Sequence, residues 1–142
     1  MSSEIIAIAA PGFDAPSETF IRHHVYTLAP GKTILLCEGR VDEQPFGNSS
    51  WKGIPILTDI NPWRPPRGLG ERVVNVVCHR WQTYVNPALI GERRRRVTAF
   101  LKAHGATALL AEYGPTGCRL MGACQEARVP LYVHFHGYDA SI

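Results

Sequence analysis

Short, wholly apolar runs alternate along this chain with longer stretches in which apolar residues recur every three or four positions. Ile5-Ile6-Ala7-Ile8-Ala9-Ala10 is the first run, stopped by Pro11-Gly12. A run without polar alternation predicts a strand buried on both faces, as in a parallel sheet covered by helices. Ser17 is then placed to cap a helix, with Glu18 in its first turn against the positive end of the helix dipole. Phe20, Ile21, His24, Val25 and Leu28 recur at helical spacing, and Pro30-Gly31 ends the element. Thr33-Ile34-Leu35-Leu36-Cys37 is a second apolar run, so the opening predicts β-α-β.

The middle carries less pattern. Residues 39–72 are rich in Gly, Pro and Asn, with Ile54-Pro55-Ile56-Leu57 as one further short strand. Pro62, Pro65 and Pro66 make residues 61–70 an irregular loop. Val73-Val74-Asn75-Val76-Val77 has strand propensity, but Val73, Val77, Trp81 and Tyr84 fall at helical spacing, which favours a helix. Asn86 as cap and Pro87 in the first turn predict a helix through Leu89, Ile90, Val97, Phe100 and Leu101 to Gly105. Thr107–Ala111 reads as a buried strand ending in Glu112-Tyr113-Gly114. Pro115 or Thr116 opens a helix through Leu120, Met121, Cys124 and Ala127. Leu131-Tyr132-Val133-His134-Phe135-His136 is a last strand, broken at Gly137. Two β-α-β units imply an α/β domain with a mainly parallel sheet and right-handed crossovers.

Composition narrows the class. With 142 residues, 45% of them hydrophobic, the chain fits one domain and is not a disordered tract. No apolar run approaches the roughly 18–20 residues needed to span a bilayer. The acidic start Met-Ser-Ser-Glu does not resemble a secretory signal, so a cytoplasmic location is expected. Fifteen Lys+Arg against twelve Asp+Glu give +3, too small an excess for a dedicated nucleic-acid binder. Cys37, Cys78, Cys118 and Cys124 form no Cys-x-x-Cys and are expected to be buried free thiols. Arg93-Arg94-Arg95-Arg96 sweeps nearly a full helical turn, so the four cannot share one face. A solvated helix side is the simpler expectation, and peripheral contact with the anionic inner face of a membrane the sharper one.

In open α/β sheets, ligands bind outside the carboxyl ends of the strands. Three such ends carry polar residues and glycines, around Gly12, Glu112 and His136-Gly137-Tyr138-Asp139. Strand alternation puts His134 and His136 on one face. An imidazole at a strand end can exchange a proton with a substrate hydroxyl near neutral pH, or can be a histidine satisfied by backbone. The adjoining glycine and Asp139 weigh towards the first. His-x-His suits zinc, but a third ligand would have to come from Glu112, Asp139, Asp14 or a cysteine at no recognisable spacing, so no metal is expected. Ser17 and Glu18 either only cap their helix or also offer its N-terminus to a ligand. Glu112 is either a ligand-contacting carboxylate or a strand-end surface charge. Neither Gly-x-Gly-x-x-Gly, a P-loop nor Gly-x-Ser-x-Gly occurs.

Three segments, in order, resemble a known family: Pro16-Ser17-Glu18-Thr19-Phe20-Ile21, Ala111-Glu112-Tyr113-Gly114-Pro115-Thr116-Gly117 and His134-Phe135-His136-Gly137-Tyr138-Asp139-Ala140-Ser141. Together they are similar to the amino-terminal half of GT-B glycosyltransferases of family 4, of the colanic-acid and exopolysaccharide type. The resemblance covers the first and last forty residues and not residues 40–100. It implies a Rossmann-like three-layer domain that holds the acceptor and faces a second domain gripping a nucleotide-sugar. It implies that His136 contacts the donor sugar and reacting centre, and that Gly12 approaches the donor phosphates, though a paired-glycine version of that loop is absent. Ser17, Glu18, Glu112, Gly137 and Asp139 would be substrate contacts. No metal or other cofactor is implied beyond the nucleotide-sugar donor substrate.

The sequence stops at Ile142, where Asp139-Ala140-Ser141 reads as the start of a helix. The expectation is therefore a truncated GT-B amino-terminal domain that transfers sugar to a glycan or lipid-linked acceptor only with a donor-binding half, because both reactants must be held together. The alternative is a non-catalytic α/β binding module completed by homodimerisation or by a partner chain.

Overall fold

The computed structural model describes residues 4–13, 19–39, 53–60 and 87–137. Ser17, Glu18 and Asp139, the loop at 61–70 and the helix favoured within 73–85 lie outside the described residues. The elements are β1 (Ile5–Ala10), α1 (Thr19–Thr27), β2 (Thr33–Cys37), β3 (Ile56–Leu57), α2 (Pro87–Ala103), β4 (Ala106–Glu112), α3 (Gly114–Ala127) and β5 (Leu131–His134). All strand pairs are parallel, in the order β3-β2-β1-β4-β5. The chain is an α/β protein with a Rossmann-like arrangement.

The apolar runs became strands because both sheet faces are covered. Ile8 and Ala10 of β1, with Leu35 and Cys37 of β2, pack against Ile21 and Val25 of α1 and against Phe13. We call this the front. On the back, Ala7, Ala9, Leu36, Leu109 and Ala111 meet Val97 and Leu101 of α2 and Leu120, Ala123 and Cys124 of α3. Each fully buried Leu or Ile side chain contributes about 1.5–3 kcal/mol by removal from water. Beside β2, Pro55 lacks an N–H, yet its carbonyl accepts from Leu35 N at 2.9 Å, so the proline leads into β3 without breaking the ladder.

β5 is shorter than the sequence suggests. Its last ladder residue, His134, lies opposite Glu112, the last residue of β4. Beyond that the β4 chain turns away into α3 and offers no further partner strand. The α3 helix itself ends in a residue with left-handed backbone, Arg128 (φ 59°, ψ 40°), whose N–H bonds back to the last turn.

The four arginines of α2 divide by face. Arg93 is buried and donates from Nε to the Ile60 carbonyl at 3.1 Å. Arg96 donates to the Asp59 and Thr58 carbonyls at 2.8 and 2.9 Å. These two guanidiniums satisfy backbone acceptors and hold residues 58–60 against the helix. Arg94 and Arg95 are exposed, at 3.6 Å from Glu126 and 2.8 Å from Glu92.

Gly117 sits where α3 crosses β5. A Cβ there would lie 2.6 Å from Cγ2 of Val133, inside any real carbon–carbon contact. Gly117→Ala is expected to lower stability by about 1–3 kcal/mol through overpacking. Adding Val133→Ala should recover part of that loss, as measured by denaturant midpoints of the two variants. Equal midpoints for wild type and Gly117→Ala would refute the crossing as described.

Candidate functional site

The chain leaves β1 towards β2 and later returns to place β4 on the other side of β1. The carboxyl ends of β1 and β4 are therefore a topological switch point, the place where an open α/β sheet leaves a crevice. Glu112 ends β4 there, on the front face and wholly buried. A buried carboxylate has to be paired. Register sets His134 directly across from it on β5, and His134 Nδ1 lies 2.9 Å from Oε2. From above, α1 brings His24, whose Nδ1 lies 2.5 Å from Oε1. His136, just past β5, puts Nε2 at 3.6 Å from Oε2.

An aromatic shell holds these rings. Phe20 stands one helical turn before His24 on the same face of α1. Its ring centroid lies 4.3 Å from that of His136 and 5.8 Å from that of His134. Tyr113 contributes a second ring, 4.5 Å from His136. Its backbone is forced to φ 86° and ψ 140°, a region that a side chain enters only under strain of roughly 1–3 kcal/mol. The strain arises because β4 must end at Glu112 and α3 must begin at Gly114 with a single residue between them.

The arrangement fixes protons. An ionised carboxylate only accepts hydrogen bonds, so His24 and His134 each donate an Nδ1–H to Glu112. In the neutral ring this leaves the lone pair on Nε2, ready to accept a proton from a ligand hydroxyl. The same donors suit a cation: one atom each from His24, Glu112 and His134 lie within 4.8 Å of one another.

Two of the sequence candidates, Glu112 and His136, are brought together here. Burial removes the surface-charge alternative for Glu112, whose carboxylate lies against His24 and His134. Gly12 follows β1 and Gly137 follows β5, and among the described residues nothing lies within 4 Å of where a Cβ would stand at either. The packing of the described residues thus does not demand glycine at either. By spacing His24 falls on the packed face of its helix, one turn after Phe20, and the structure turns it to Glu112.

A second strand-end carboxylate is also tied to a helix, and no motif in the sequence signals it. Glu38, directly after β2 as Glu112 is at the end of β4, accepts from Thr116 Oγ1 at 2.7 Å and from one Arg119 nitrogen at 2.8 and 2.7 Å. This group ties the β2 end to α3. Between α1 and the β4–β5 edge lies an apolar cavity of about 450 Å³, lined by Ile6, Leu28, Leu110 and Tyr132 and sharing His24 and His134 with the cluster. The cysteines are not all buried. Cys37 and Cys124 are, whereas Cys118 is exposed because it faces outward on α3; Cys78 lies outside the described residues. Among the described residues no helix is long and apolar enough to cross a membrane.

Comparison of the chain with protein-family profiles, with curated proteins and with solved structures gives no significant match.

Two outcomes are expected. Arg119→Met should destabilise the protein by about 3 kcal/mol, because it strips the cation from a largely buried carboxylate. Glu38→Gln in the same chain should restore part of that, read from urea midpoints. Burial pushes the Cys124 thiol up to about 11, so it stays neutral well above the ordinary value of 9.0. A folded-state value raised in this way stabilises the protein below pH 9 and ceases to do so as pH climbs through 11. At pH 8, alkylation mapped by mass spectrometry should mark Cys118 and spare Cys124 until denaturant is added.

Proposed function

We propose that the chain is the acceptor-side domain of a glycosyltransferase that uses a nucleotide-sugar donor and elongates a glycan or lipid-linked acceptor. The observation that carries this reading is the convergence of Glu112, His134, His136 and His24 at the switch point of a parallel sheet. The segments bearing Glu112, His134 and His136 are among those that resemble family 4 of the GT-B enzymes. His136 meets the reacting centre. Glu112 is a positioning residue that holds His134 and His24 in the tautomer with an accepting Nε2. A sugar hydroxyl can then be oriented, and its proton received, at an imidazole flanked by the rings of Phe20 and Tyr113. The adjoining apolar wall accommodates the apolar face of a sugar ring or the first isoprene units of a lipid carrier. Among the described residues nothing crowds Gly12 or Gly137, which leaves room for close backbone approach.

On this reading the donor is gripped by a second domain, and the chain by itself binds acceptor without turning it over. The runner-up is a non-catalytic α/β module completed by a partner or a second copy. Tyr132 and Phe135, each 61% exposed at the β5 end of the sheet, favour a covered surface there. Peripheral membrane attachment, if present, falls to Arg94 and Arg95, since Arg93 and Arg96 are engaged with backbone.

Calorimetric titration separates the readings. Oligosaccharide or lipid-linked acceptors should bind saturably, and His136→Ala should weaken that binding by about tenfold or more with an unchanged circular-dichroism spectrum. Nucleotide-sugars should give no saturable heat with the chain alone. Transfer should appear when a donor-binding domain is supplied and vanish in His136→Ala. Saturable nucleotide-sugar binding by this chain alone, or acceptor binding indifferent to His136, would overturn the proposal.

A further inference from the structure

We propose that the cluster at the β4–β5 end is a binding site for a divalent transition-metal ion of the zinc class, held by His24, Glu112 and His134 with His136 as the fourth ligand. The sequence argued against a metal only because no third ligand stood at a recognisable spacing from His-x-His. The fold supplies two. Glu112 comes from the neighbouring strand, and His24 arrives from a helix 88 residues earlier in the chain.

The geometry is close to what such an ion demands. Tetrahedral zinc with ligand bonds of about 2.0–2.1 Å has ligand atoms roughly 3.3 Å apart. Here one donor atom from each of His24, Glu112 and His134 lies within 4.8 Å of the others. His136 Nε2 stands 3.6 Å from the Glu112 carboxylate. The donor chemistry is selective as well: imidazole nitrogens with one carboxylate suit zinc, copper or nickel, whereas magnesium and calcium prefer oxygen ligands. Glu112 is wholly buried and the rings of Phe20 and Tyr113 stand beside the cluster, while the His134 side chain is 40% exposed and leaves the ion a path in from solvent.

The functional consequence is exclusive use. An imidazole nitrogen bonded to a metal cannot receive a proton from a sugar hydroxyl. Occupancy therefore pins α1 to β4 and β5 and blocks the acid–base role proposed above.

The test is a calorimetric titration of the full chain with zinc, nickel and magnesium, alongside optical spectra of the cobalt(II)-loaded protein. One equivalent of zinc is expected, at least about a hundredfold tighter than magnesium, with cobalt bands of a tetrahedral nitrogen–oxygen site and no thiolate charge-transfer band. His24→Ala and Glu112→Gln should each weaken zinc binding by about tenfold or more. Cys118→Ser and His104→Ala, whose side chains lie outside the cluster, should not change it. If Glu112→Gln fails to fold, His134→Gln checked by circular dichroism serves in its place. Zinc binding that survives loss of His24 and His134, a thiolate band, or no preference over magnesium would each overturn the proposal. None of these results touches acceptor binding in zinc-free buffer, so the glycosyltransferase reading stands or falls separately.

Discussion

A carboxylate with no water around it is the constraint on which this structure turns. Glu112 is buried at the end of β4, and an unpaired charge there would be prohibitive. Its two oxygens are taken by imidazoles that come from different layers, one from the overlying helix and one from the neighbouring strand. The position of α1 above the sheet, the parallel register of β4 against β5 and the protonation pattern of two histidines are therefore one problem with one solution. Removing Glu112 takes this partner from both imidazoles, whereas removing either imidazole takes the hydrogen bond from one carboxylate oxygen and leaves the other pair in place.

Elsewhere the same logic recurs with different chemistry. Glu38 at the end of β2 is held by Thr116 and Arg119 from α3, so both strand-end carboxylates act as ties between a strand and a helix. Arg93 and Arg96 do the reverse and tie a helix to carbonyls beyond β3. The sheet is apolar through its middle and ionic around its carboxyl rim. The middle supplies most of the stability; the rim fixes which helix lies over which strand.

Much of this was legible beforehand, and for a physical reason. Strands buried on both faces have no alternation to hide them, so Ile5–Ala10, Thr33–Cys37 and the run through Leu109-Leu110 stand out from composition alone. Asn86-Pro87 and the proline after Gly114 marked helix starts equally plainly. What escaped was anything depending on separation in sequence. His24 and Glu112 are 88 residues apart, and Glu38 and Arg119 are 81 apart. No periodicity connects such pairs. The arginine run misleads for a related reason: charge is visible in sequence, but whether a guanidinium meets solvent or a carbonyl is decided by the packing of a distant segment.

Position 113 carries two opposed demands. Its backbone, at φ 86°, is one that glycine adopts freely and tyrosine does not. Its side chain, against His136 and Phe20, is one that glycine cannot supply. Selection for thermal stability alone would drift towards glycine there, while selection on the geometry of the histidines would retain an aromatic ring. The residue that lineages of this fold keep at that point therefore records which of the two pressures has governed them.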